Sequence, residues 1–128
     1  MLISEYQAIL ADIISHYNRT DLIVSAELAT DARTPKIGKI FGSLTFADGA
    51  RLFFTEYVDV RYRLVKLSYV YHCQAGDGSL IFRYDNAVHR PKLPYGCHKH
   101  LHTGEVIEAE PPELAAVIEE IMERFISC

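Results

Sequence analysis

Apolar side chains recur at three- and four-residue steps at both ends of this chain and at two-residue steps between them. Tyr6, Ile9, Leu10, Ile13, Ile14 and Tyr17 form the first stripe and predict a helix over 4–17. Ser4 and Gln7 have the spacing of a capping box, and Asn18 is a stop. From 22 to 85 the period is two, which predicts strands. Val24, Ala26 and Leu28 alternate with Ser25 and Glu27, and 30–35 reads as a loop. Ile40, Gly42, Leu44 and Phe46 form the next strand, Asp48 and Gly49 turn it, and 51–58 returns. Residues 59–63 read as a charged connection. The long strand over 64–74 puts Val65, Leu67, Tyr69, Tyr71 and Cys73 on one face; a second Gly-Asp-Gly turn follows, and 80–85 comes back. A short strand is expected within 97–102 and an edge strand around Val106 to Glu110.

Pro111 and Pro112 open the last helix, where Pro is tolerated, and Glu113 suits the positive end of its dipole. Its stripe is Leu114, Val117, Ile118, Ile121, Met122 and Phe125, with Glu119, Glu120 and Glu123 as the solvated face. The fold class that follows is α+β. An antiparallel meander of five to six strands carries the N- and C-terminal helices on one face. Leu10, Ile13, Ile14, Leu114, Val117, Ile118, Ile121 and Phe125 should meet that face. No linker or repeat interrupts the pattern, so residues 1–128 are read as one domain.

Composition changes this picture little. Apolar runs are only a few residues long, so no membrane span is expected, and the first residues lack the basic and apolar regions of a signal peptide. Three widely spaced cysteines do not make a disulfide framework, and free thiols in a cytoplasmic protein are expected. Charge changes the picture more. From Arg83 to His102, four cations stand against Asp85 alone, a net +3, while the whole chain is −4 and the remainder therefore −7. The same twenty residues hold His89, His98, His100 and His102. On the strand before them, Arg83 and Asp85 share a face, either as a cross-strand ion pair or as the mouth of a site. Residues 86–96, with Pro91, Pro94 and Gly96, are irregular. If 97–102 is a strand, His98, His100 and His102 share a face and Lys99 points the other way.

The run Phe82, Arg83, Tyr84, Asp85, Asn86 and Ala87, then His89 and Pro91, then His98, Lys99 and His100, resembles the TumE-type toxin family of small prokaryotic toxin–antitoxin modules. The order of helix, meander, YDNA motif, HKH and Pro-opened helix also matches, end to end. The chain departs from the family pattern at Val88, Arg90 and Cys97. The resemblance implies a toxin that acts on RNA and is neutralised by a cognate antitoxin protein.

The patch has the parts of a metal-independent endoribonuclease: a base for the 2′-hydroxyl, an acid for the leaving 5′-oxygen, and cations for the phosphate. The assignment is His98 or His100 as base, His89 as acid, and Lys99, Arg83 and Arg90 as phosphate ligands. Asp85 would orient a histidine, and Tyr84 or Tyr95 would stack on a base. No cofactor is expected. Two alternatives stay open. One is a metal-binding protein using Cys97, His98, His100 and His102 with His89, although Lys99 among them repels a cation. The other is a non-catalytic module whose basic patch docks nucleic acid or an acidic segment of a partner protein. A homodimer through an edge strand or the Asp59 to Arg63 connection is a further expectation.

Overall fold

The computed structural model describes residues 1–88 and 93–126. The chain order is α1 (Ile3–Asn18), β1 (Ile23–Thr34), β2 (Ile37–Phe46), β3 (Arg51–Asp59), β4 (Val65–Gln74), β5 (Leu80–Asp85), β6 (His98–Leu101), β7 (Val106–Glu108) and α2 (Leu114–Ile126). The strands form one antiparallel sheet in sequence order, β1 to β7. Each strand therefore pairs with its chain neighbour, and the fold needs no crossover. The α+β meander with terminal helices is as expected, but the strand number is seven rather than five to six. Both short C-terminal segments join the sheet, because a tight turn with Gly104 at φ +93° lets β7 fold back on β6. The hairpin turns predicted from sequence form, with Gly49 at φ +89° and Gly78 at φ +88°.

Three local expectations change. First, β1 runs on through Thr34, where a loop was expected from Thr30. Its outer residues are mostly exposed, so burial leaves no alternation to read there. Second, α1 starts at Ile3, and the group that closes its first turn is Glu5, which accepts from the Leu2 N–H at 2.9 Å; the Ser4–Gln7 pair does not serve as the cap. Third, Val65 and Leu67 do not continue the face of Tyr69, Tyr71 and Cys73. In the β3–β4 register Tyr57 pairs with Ser68 and Val58 with Lys66, so Leu67 is a bulge. The extra residue reverses the alternation: Leu67 is exposed and Lys66 turns inward.

The core lies between the helices and one face of the sheet. Ile40, Leu44, Leu52, Phe54, Tyr71 and Cys73 supply the sheet side and are at most 2% exposed. Leu10 and Ile14 of α1 and Leu114, Val117, Ile118 and Ile121 of α2 cover them, with Ile13 and Phe125 at the margin. Burial of such a side chain contributes about 1.5–3 kcal/mol. Within this core sits a charged residue that the β3 alternation sets beside Leu52, Phe54 and Val58. Glu56 on β3 is fully buried. It accepts from the Tyr6 hydroxyl of α1 at 2.5 Å and from the Tyr71 hydroxyl at 2.7 Å. Lys66 donates to Tyr71 Oη at 2.6 Å and to the carbonyl of Pro112, just before α2, at 2.8 Å. Burial first, and then Glu56, push both tyrosine hydroxyls well above their ordinary range. They stay protonated and donate, as the carboxylate requires.

Candidate active site

The second face of the sheet carries Arg83 and Asp85. They stand two residues apart on β5, so the pleat puts them on one side, and β6 sets His100 opposite Arg83 and His98 opposite Asp85. The other three side chains converge on the Asp85 carboxylate. Arg83 Nε donates to Oδ2 at 2.9 Å; His98 Nε2 lies 2.5 Å from Oδ1, and His100 Nε2 lies 3.4 Å from Oδ2. The backbone N–H of Ala87 adds a fourth contact, to Oδ1 at 3.0 Å. The two imidazole rings meet edge to face, 5.1 Å between centroids.

Exposure separates these residues into a floor and a rim. The side chains of Asp85 and His98 are 3% and 0% exposed, whereas Arg83 and His100 keep 39% and 24%. Burial alone would raise the pKa of Asp85. The Arg83 guanidinium, the Ala87 N–H and His98 outweigh it and hold the carboxyl below its usual range. The centre of the site is thus a fixed negative charge that holds both histidines in place.

Asn86 ties the site to the sheet. Its side-chain oxygen accepts from the Tyr69 N–H at 3.1 Å and its amide donates to the Leu67 carbonyl at 3.2 Å. It thereby satisfies the backbone that the β4 bulge leaves unpaired, and it fixes the start of the loop that follows β5.

The remaining predicted residues fall elsewhere. Lys99 alternates to the helix side of the sheet, where it donates to Glu120 of α2 at 2.8 Å. Tyr84, its partner across β5–β6, donates to the same carboxylate at 2.6 Å. Burial disfavours the charge on Lys99, but Glu120 and Tyr84 more than restore it, and its pKa is raised. Glu120 is therefore a sheet-to-helix anchor rather than a member of a solvated face, and Glu119 likewise accepts from the Tyr17 hydroxyl of α1. Tyr95 donates to the Val106 carbonyl at 3.2 Å. His102 lies exposed beyond the end of β6. His89 and Arg90 lie outside the described residues. Among the described residues, the group that fits around one metal ion is Asp85, His98 and His100, whose ligand atoms lie within 4.8 Å of one another; Cys97 and His102 are not part of it. Sequence reasoning passed over His72, which sits beside Arg83 across β4–β5 with Nε2 3.1 Å from Gln74 Oε1. Its alternation within β4 placed it on this face and was the available signal.

A seven-stranded meander backed by two helices, with histidines and an arginine gathered on one buried carboxylate, defines a small α+β protein built around a single-face polar site. The family described as Toxin TumE matches residues 10–126, and the chain belongs to it. It is accordingly a toxin component of a toxin–antitoxin module, with an antitoxin as its partner. No curated protein and no solved structure matches it. No described helix is long and apolar enough to cross a membrane.

Proposed function

We propose that this toxin is a metal-independent endoribonuclease whose active site is the Asp85 cluster. The observation that carries the reading is the placement of one half-buried histidine and one half-buried arginine on a single buried carboxylate. His100 is the base: it takes the ribose 2′-hydroxyl proton, and Asp85, beside its Nε2, stabilises the imidazolium that forms. The 2′-oxygen attacks phosphorus and the bond to the 5′-oxygen breaks. His89 donates the proton to that leaving oxygen. Arg83 neutralises the phosphoryl oxygens, and Arg90 is its expected companion. His98, fully buried, is a positioning residue that fixes Asp85. Lys99, held by Glu120 behind the sheet, has no part in this scheme.

The test is cleavage of cellular RNA by purified protein in the presence of a chelator, with His100→Ala beside wild type. Cleavage that survives chelation and falls at least about a hundredfold in the variant is the expected result. Undiminished cleavage by His100→Ala rejects the assignment. The spacing of Asp85, His98 and His100 supports a second reading, a divalent-metal site of two imidazoles and a carboxylate. Arg83 at 2.9 Å from the carboxylate opposes it, because it already occupies one oxygen and repels a cation. Cleavage abolished by the chelator and restored by one metal would establish that reading instead.

A further inference from the structure

The helices cover one face of the sheet; the other face leads into the Asp85 cluster along two cross-strand rows. One row runs Phe41, Thr55, Val70, Asp85, His98 over β2 to β6, and the next runs Ser43, Phe53, His72, Arg83, His100. Each row contains a phenylalanine that carries a cation. Lys39 Nζ stands 5.0 Å from the Phe41 ring centroid, and the Arg51 guanidinium 4.7 Å from that of Phe53. Phe41 is 37% exposed. A groove of about 410 Å³ runs between these rings, lined by Phe41, Ser43, Arg51, Phe53 and Thr55. On this face Lys39, Arg51 and Arg83 lie on the middle strands, while Glu27 and Asp31 on β1 and Glu108 on β7 lie at its two edges; the acids between them are Asp59, paired with Arg61, and the buried Asp85.

We propose that this face is the binding track for single-stranded RNA, with bases stacked on Phe53 and Phe41 and their phosphates met by Arg51 and Lys39. The inference rests on the ribonuclease reading of the Asp85 cluster and adds what that cluster binds and along which path. Each cation lies over its ring, and a base that stacks there moves it aside onto its own phosphate. The acids at both edges of the sheet keep a polyanion in the central band. Strands are about 4.8 Å apart, so Phe53 stands roughly 14 Å from His100, within reach of nucleotides flanking a phosphate held at Arg83. A duplex hides the faces of its bases, so rings on a sheet select unpaired strands.

The experiment is fluorescence anisotropy of the full chain with a labelled oligouridine bearing 2′-O-methyl riboses, which cannot be cut, against a duplex of the same length. Wild type is expected to prefer the single strand. Phe53→Ala is expected to weaken binding about five- to a hundredfold, Phe53→Tyr to bind as wild type does, and Arg51→Gln to weaken it with a shallower salt dependence. Thermal melts of each variant separate binding loss from unfolding. Equal binding by wild type, Phe53→Ala and Arg51→Gln, or equal affinity for duplex, overturns the proposal. So does loss of antitoxin binding in Phe53→Ala with RNA binding unchanged, which would make the face a protein-docking surface. If wild type cuts RNA while these variants bind normally, the track is wrong and the nuclease stands. If the variants lose binding while wild type cuts nothing, the track stands and the nuclease reading falls.

Discussion

Two buried carboxylates sit on opposite faces of the same sheet, and their partners differ in kind. Glu56 is held by two tyrosine hydroxyls, with Lys66 Nζ 3.8 Å away, inside the helix-covered core. Asp85 is held by an arginine, two histidines and a backbone N–H, and two of those partners reach solvent. Tyrosine hydroxyls pushed upward by burial do not change state near neutral pH, so the Glu56 centre is chemically inert. Histidines do change state there. Each carboxylate has solved the same desolvation problem, but only Asp85 has done so with groups that take and give protons. The difference teaches that burial of a charge alone does not mark a site; the chemistry and exposure of its partners do.

Breaking the first centre should cost the most. Glu56→Ala removes the carboxylate paired with Lys66 and leaves two hydroxyls with no acceptor, and is expected to lower the unfolding free energy by about 3–5 kcal/mol in urea titrations. If it folds as well as wild type but is no longer toxic, the roles assigned to the two centres are reversed. Asp85→Asn should reverse the pattern of effects. Growth arrest on expression without antitoxin is expected to disappear, while stability falls by only about 1–3 kcal/mol, since the amide keeps some of the hydrogen bonds.

The same variant sharpens the pH contrast. The pKa of Asp85 is lowered by folding, so its stabilisation is complete above its unfolded value of about 4 and is lost as pH falls through the lower folded value. The stability gap between wild type and Asp85→Asn should therefore shrink below about pH 4 in acid unfolding curves. The smallest effect is expected from Lys99→Gln. It removes a half-buried pair with Glu120, worth under about 1 kcal/mol, and should leave RNA cleavage unchanged. A large loss of cleavage in that variant would return Lys99 to the site.

The helices and hairpins were legible because apolar stripes and Asp-Gly turns are local signals. The face shared by Arg83 and Asp85, and that shared by His98 and His100, followed from alternation alone. What alternation cannot carry is a change of phase. The bulge at Leu67 turned Lys66 inward, and nothing in the order of residues announces it. Glu120 read as solvated because its neighbours are acidic, although Lys99 and Tyr84, distant in sequence, meet it across the sheet. Glu56 was hidden for a like reason: its partners come from α1 and β4. The convergence of His98, His100 and Arg83 on one carboxylate depends on the β5–β6 register, which sequence spacing does not set, and the placement of His89 lies outside the described residues.

Three successive residues, Tyr84, Asp85 and Asn86, send their side chains to three different elements: α2, β6 and the β4 bulge. Inserting or deleting a single residue in β5 would therefore misplace all three attachments at once. The segment behaves as a keyed joint, so the ordinary drift of strand ends by one residue is barred here. The count of residues through β5 up to Asn86 has no tolerance.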